Sequence, residues 1–106
     1  MNLSPVEVAE RLRRPKPPHL LDVRQPEEHE LVALPGSTLI PLGQLFHRAG
    51  ELESWKNDEI IVYCHHGIRS QQAISVLQQL GFTRLFNLGG GIDAWADQVD
   101  ETLPRY

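Results

Sequence analysis

Residues 60 to 63 read Ile-Ile-Val-Tyr, an unbroken apolar run in which three of the four residues are β-branched. A strand with one wet face alternates apolar and polar side chains, whereas a continuous run belongs to a strand covered on both faces. That confines the chain to few architectures, of which a parallel sheet between two layers of helix is the commonest. The run ends at Cys64, the only cysteine in the chain. His65-His66-Gly67-Ile68-Arg69 follow, and Ser70 opens a helical pattern with Ala73, Ile74, Leu77 and Leu80 at core spacing and Gly81 as its C′ residue. A strand thus delivers a thiol into a loop seated on a helix N-terminus. Such a loop can turn its N–H groups inward and add the positive end of the helix dipole, so it binds anions. The same field favours thiolate over thiol, which makes Cys64 a candidate nucleophile.

The rest of the chain agrees with a layered α/β architecture. Ser4-Pro5-Val6-Glu7 is a capping box with proline at the first helical position, and Leu3 and Val8 are spaced as a hydrophobic staple. The predicted first helix runs to about Arg13 and is stopped by Pro15. A short apolar strand follows, His19 to Val23, ending at Asp22; Pro26 to Glu30 is an acidic helical turn. Thr38-Leu39-Ile40 is a strand cut by Pro41, and Leu42 to Ala49 a modest helix with Leu42, Leu45 and Phe46 on one face. Arg84 to Leu88 is a last strand, which meets Gly89-Gly90-Gly91 and a helix carrying Ala94 and Trp95. Strands alternating with helices through short turns give a parallel sheet, whose sites form beyond the carboxyl ends of its strands. Asp22, Cys64 and Gly89 fall at such ends, so three segments converge on one edge.

Composition narrows the function classes. At 106 residues the chain fits a single domain, residues 1–106, and its net charge of -4 with a pI near 5.7 argues against a basic face for nucleic acid. The one basic cluster, Arg11, Arg13, Arg14 and Lys16, reads as a solvated complement to the first helix's dipole. A single cysteine forbids an internal disulfide, charges occur by position 7, and no run approaches a membrane span. A cytoplasmic protein without membrane contact is expected.

Four residues separate Cys64 from Arg69. Gly67 supplies a positive φ for a tight ring of amides, and Arg69 a guanidinium that can seal the ring or bond a bound oxyanion. The amides from His65 to Ser70 are expected to surround the sulfur, and they suit one extra anionic atom on it, a persulfide. A lone cysteine at a strand end is ordinarily a small buried hydrophobe; the glycine, the arginine, the helix start and the convergence of strand ends outweigh that reading. No metal is expected, because consecutive histidines on a tight loop rarely point at one ion and no second ligand pair has zinc spacing. His19, His29 and His47 read as surface or structural, Trp55 and Trp95 as core, and the glycine run as a strand-to-helix turn forming one wall of the pocket. Asp22 is either a local cap or a supporting group bonded to Arg69 or the loop amides, and Arg24 reads likewise.

The segment Cys64-His65-His66-Gly67-Ile68-Arg69-Ser70 resembles the active loop of single-domain rhodaneses, the thiosulfate and persulfide sulfurtransferases. So do Leu20-Leu21-Asp22-Val23-Arg24 with Pro26 and Glu28, the Pro35-Gly36 turn, Gly90-Gly91-Ile92 with Ala94-Trp95, and the stretch from Val99-Asp100 to Leu103-Pro104-Arg105-Tyr106. The resemblance implies a five-stranded parallel sheet flanked by helices on both faces. It also implies Cys64 as the catalytic residue, with His65, His66, Gly67, Ile68, Arg69 and Ser70 as the substrate cradle. Its chemistry would move a sulfane sulfur from thiosulfate or another persulfide donor, through a Cys64 persulfide, to cyanide, a thiol or a protein acceptor, with no cofactor. Two departures stand out. Val32 and Ala33 occupy positions where many members have glycine and histidine, and the paired histidines of the loop replace charged or small residues. Two rivals remain. Cysteine phosphatases and arsenate reductases place five residues between cysteine and arginine, so a loop with four is too small for phosphate. A non-catalytic or sulfur-accepting module is the other, although inactive members commonly lack the cysteine or the arginine and this chain keeps both.

Overall fold

In the computed structural model, which describes all 106 residues, Ile60–Tyr63 (β4) is the centre of a five-stranded, wholly parallel sheet. Asn2–Leu3 forms β1, His19–Asp22 β2, Thr38–Leu39 β3 and Leu85–Leu88 β5, and the strands lie in the order β1-β5-β4-β2-β3. The helices are α1 (Pro5–Leu12), α2 (Pro26–Leu31), α3 (Leu45–Arg48), α4 (Ile68–Gln79) and α5 (Gly91–Gln98). No helix is long and apolar enough to cross a membrane.

The period of two along β4 divides the core. Ile60, Val62 and Cys64 face a cluster completed by Leu45, Leu52, Ala73 and Leu77 of the α3–α4 layer. Ile61 and Tyr63 face the other cluster, with Val8 of α1 and Ile92 and Trp95 of α5. Every residue of β4 is buried, as its unbroken apolar run requires. The Ser4–Glu7 capping box forms in both directions, at 2.9 and 3.1 Å.

Four local features depart from expectation. β1 pairs Asn2 with Asn87 and Leu3 with Leu88; two residues carry no periodicity that could announce a strand. Helix α4 starts at Ile68, two residues early, because Gly67 at φ 104° serves as its N-cap. The segment after Pro41 is not one helix: Leu42–Gln44 is a 3₁₀ turn, α3 follows, and Ala49–Trp55 is again 3₁₀. The tighter 3₁₀ turn rotates later side chains out of phase, so Phe46 is 65% exposed while Leu45 and Leu52 are buried. The basic cluster is also not simply solvated. Arg11 lies over the Phe86 ring and bonds Glu59 at 3.1 Å, with Arg84 and Arg14 at 3.4 and 3.9 Å from the same carboxylate.

Candidate active site

The sulfur of Cys64 lies at the floor of the loop between β4 and α4, and the residue is 1% exposed. The Gly67 N–H donates to Sγ at 3.0 Å and the Ser70 N–H at 3.4 Å. Ser70 is the third residue of α4, so its N–H is one that no helical carbonyl can take, and the sulfur receives it together with the positive end of a twelve-residue helix. The loop amides do not all converge as expected. Only those of Gly67 and Ser70 reach Sγ, because the earlier start of α4 draws Ile68 and Arg69 into its first turn.

What turns the loop this way is α5. Its Ile92 N–H donates to the Cys64 carbonyl at 2.9 Å and its Asp93 N–H to the His65 carbonyl at 3.1 Å. With those carbonyls held outward, the N–H groups that follow can point inward. Gly91 makes the approach possible: it sits at φ 66°, and a Cβ there would collide with the His65 oxygen and lie 2.5 Å from the Cys64 oxygen. The glycine run is therefore a wall pressed against the back of the loop.

A buried amide fixes the proton arrangement beside the sulfur. Asn87, at the carboxyl end of β5, donates from Nδ2 to the Gly67 carbonyl at 3.3 Å and to Asn2 Oδ1 at 2.8 Å, so its Oδ1 faces Ser70. The Ser70 hydroxyl donates to that oxygen. Having given its single proton away, Ser70 Oγ can meet Sγ, 3.4 Å distant, only as an acceptor from the thiol S–H. Asn87 was not singled out from sequence, although an asparagine inside Leu-Phe-Asn-Leu was the available signal, since a buried amide needs partners.

Two arginine–carboxylate pairs flank the loop. Arg24 and Asp22 are both fully buried; Nε and Nη2 of Arg24 reach the two Asp22 oxygens at 2.9 and 2.7 Å. Asp22 also accepts from the Tyr63 hydroxyl at 3.2 Å and lies 2.8 Å from His29 Nδ1, and Arg24 donates to the Val32 carbonyl at 2.7 Å. Of the two readings of Asp22 the local cap holds: its Oδ1 accepts from the Arg24 N–H at 3.0 Å, and with the carboxylate engaged by Arg24 two positions away, neither residue touches Arg69 or a loop amide. Burial alone would lower the Arg24 pKa, but the hydrogen bonds to Asp22 and Tyr106 outweigh it and the pKa is raised. Tyr63 is pushed up to about 12, first by burial and then by the Asp22 charge.

Arg69 does not bond the ring of amides either. Its two terminal nitrogens donate to Glu28 of α2 at 2.7 and 2.8 Å, a bidentate clamp across the mouth. The hydrogen bond from Arg69 pulls the Glu28 carboxyl down to about 2. Tyr106 joins the two pairs: its hydroxyl accepts from Arg24 Nη1 at 2.9 Å and donates to Glu28 Oε1 at 2.8 Å. The same ring stacks on His65, centroids 3.9 Å apart, and His65 stacks on His66. Glu28 and Tyr106 stood in the motif resemblance with no role attached; nothing in sequence spacing pairs them with Arg69.

The histidines thus shape the mouth with their rings. Burial, aided by the charge of His66, lowers the His65 pKa. His65, His66 and Asp93 bring their ligating atoms within 4.8 Å of one another, a cluster that the sequence did not announce. Asp93 divides its oxygens between Arg105, at 2.9 Å from Oδ1, and His66, whose Nε2 lies 3.8 Å from Oδ2. Ile68 projects from the loop, 70% exposed.

Comparisons with known proteins agree with this fold. Residues 4–98 match the model of the rhodanese-like domain. The chain is 39% identical over 82 residues to YrkF of Bacillus subtilis, named as a candidate sulfur carrier protein, covering 77% of this chain and 43% of that one. It is 34% identical over 118 residues to the adenylyltransferase and sulfurtransferase MOCS3 of Arabidopsis thaliana, covering 98% of this chain and 25% of that one. The chain therefore spans less than half the length of these curated relatives. Among solved structures, a rhodanese-related protein of Thermoplasma volcanium superposes with a TM-score of 0.81 at 29% identity, covering 97% and 94% of the two chains. The human single-domain sulfurtransferase TSTD1 does so with 0.79 at 26% identity, covering 92% and 96%. With a β4 cysteine loop seated on α4 and a match along nearly its whole length, the chain belongs to the rhodanese-like domain family.

Proposed function

We propose that residues 1–106 act as one sulfurtransferase domain that carries a sulfane sulfur as a persulfide on Cys64. The observation that carries this reading is the pair of N–H donors, from Gly67 and Ser70, aimed at Sγ from the N-terminus of α4. They stabilise negative charge on the sulfur before and after loading, and removal of one comparable preorganised donor elsewhere costs on the order of 10²–10³ in rate. In the first half-reaction the Cys64 thiolate attacks the outer sulfur of a sulfane donor. With thiosulfate the old S–S bond breaks, its electron pair leaves on sulfite, and a Cys64–S–S⁻ persulfide remains. In the second, a thiolate or cyanide attacks the terminal sulfur and the Cys64 thiolate is restored, a ping-pong cycle without a cofactor. Ser70 Oγ, held in orientation by its bond to Asn87, faces the sulfur as an acceptor. His65, His66, Gly67, Ile68 and Arg69 form the walls and rim that the donor meets, while Asp22 and Arg24 support the mouth through Tyr106 and Glu28.

The spacing of four residues between Cys64 and Arg69 disfavours a phosphatase, and the engagement of both N–H donors with Sγ favours a working loop over a passive module. Intact-mass measurement decides. Incubation with excess thiosulfate or cysteine persulfide should add one sulfur atom, removable by cyanide or dithiothreitol, and Cys64→Ser should add none. Turnover of an aryl phosphate without sulfur uptake would reject the reading.

A further inference from the structure

We propose that His65, His66 and Asp93 form a binding site for a borderline divalent transition ion, of the zinc class, on the rim of the cysteine loop. Two consecutive histidines rarely converge on one ion by themselves, and the sequence offers them no partner at zinc spacing. The fold supplies the partner from α5. The Asp93 N–H donates to the His65 carbonyl at 3.1 Å, which binds the first turn of α5 to the loop and lays the carboxylate beside the imidazoles. The three ligating atoms lie within 4.8 Å of one another, and His66 Nε2 is 3.8 Å from Asp93 Oδ2. Around a tetrahedral zinc ion, with bonds of about 2.0–2.2 Å, neighbouring ligand atoms stand roughly 3.4 Å apart. The set therefore closes on an ion through side-chain shifts smaller than about 1 Å.

Two of the three ligands are already held. Asp93 Oδ1 accepts from Arg105 at 2.9 Å, which orients the carboxylate and leaves Oδ2 to an ion. Carboxylate ligands are commonly steadied by such outer hydrogen bonds. His65 is fixed by its stack on Tyr106, with centroids 3.9 Å apart and planes 10° from parallel. His66 is the adaptable member. Its side chain is 61% exposed, so the ring, 27° from that of His65, can tilt toward an ion without disturbing the core. The charge balance on this face of α5 also favours a cation, because Asp93 and Asp97 share the single guanidinium of Arg105. Two imidazoles and one carboxylate suit a borderline ion, whereas calcium and magnesium ask for more oxygen ligands than Asp93 offers. Three protein ligands leave a fourth position for water. The loop's N–H donors point at Sγ, and the proposed ligands are side chains on its rim, so the anion-binding and cation-binding groups are not shared.

Calorimetric titration with Zn²⁺ tests the site in Cys64→Ser, where the thiol cannot serve as a ligand. That protein should saturate at one Zn²⁺ per chain, and an excess of Mg²⁺ should not compete. Adding His66→Ala or Asp93→Asn should each weaken binding by at least about tenfold, the least that losing even a supporting partner costs a metal site. His47→Ala, on α3, should leave the affinity unchanged. No saturable binding in Cys64→Ser overturns the proposal, as does an affinity that neither His66→Ala nor Asp93→Asn moves, or one that His47→Ala lowers equally. Asp93→Asn also weakens the bond to Arg105; if it fails to fold, His66→Ala decides, since that side chain is exposed. Because the readout is binding and not turnover, failure here leaves sulfur transfer standing, and a protein that loads no sulfur leaves the ion site standing.

Discussion

The two arginine–carboxylate pairs beside the loop use the same functional groups to different ends. Asp22 and Arg24 are completely buried, and their hydrogen bonds tie the end of β2 to the carbonyl of Val32, to Tyr63 and to Tyr106. Glu28 and Arg69 are 19% and 33% exposed and span the opening. A buried pair contributes little net stability by existing but costs a great deal when broken, because the surviving charge is left without water or partner. A partly exposed pair can be broken and solvated. The first is a frame, the second a rim that water reaches.

The sharpest way to break this contrast is to remove the arginines one at a time. Arg24→Ala strands the Asp22 carboxylate in the interior and should destabilise the fold by about 3–5 kcal/mol, read as a fall in denaturant midpoint. A loss below about 1 kcal/mol would mean that Asp22 reaches water and the frame is no frame. Tyr106→Phe removes the hydroxyl shared by the two pairs while keeping the ring stacked on His65, and should cost about 1 kcal/mol. It should also make the effects of Arg24 and Arg69 substitutions additive in a double-mutant cycle; coupling that survives would show that the pairs communicate by another route. Arg69→Ala should cost only about 0–1 kcal/mol in stability, yet slow sulfur loading, because it leaves the Glu28 charge unanswered at the mouth. A parallel loss of stability and loading would make Arg69 part of the frame.

How much of this was legible in the chain follows from the range of each interaction. The β4 run and the α4 periodicity are local, and both elements stand where the sequence places them, apart from the two residues that Gly67 adds to the helix start. Cys64 at the end of β4 follows from the same local order, whereas of the amides expected around it only those of Gly67 and Ser70 reach the sulfur. Phe46 was misplaced because a single 3₁₀ turn shifts the phase of everything after it. The partner of Arg69 lies 41 positions away, and that of Arg24 in Tyr106 lies 82 away. Such pairings are made only when β2, α2 and the segment after α5 are brought to one edge, so the sequence offers the right groups without their matching. The glycine at position 91 belongs to the same class: its purpose is the approach of a loop that lies far from it in the chain.

The smallest effect distinguishes the two pairs by pH. The Arg69 hydrogen bond holds the Glu28 carboxyl at about 2, against an ordinary value of 4.5. A carboxylate whose pKa is depressed on folding contributes stability that is fully present above its unfolded value and is lost as pH falls through the folded one. Wild type should therefore lose melting temperature between pH 4.5 and about 2 more steeply than Glu28→Gln, with the two curves running parallel above pH 5. The partial exposure of both partners keeps the difference modest, since solvent screens an ion pair that it can reach. Arg69→Ala should flatten much of the acid limb but less than Glu28→Gln, because the Arg69 hydrogen bond is the largest cause of the shift while the Gln25 N–H and the Tyr106 hydroxyl also lower it. If Glu28→Gln retains the full wild-type slope while Arg69→Ala does not, the guanidinium answers some other carboxylate and the rim is built differently from the way its geometry describes.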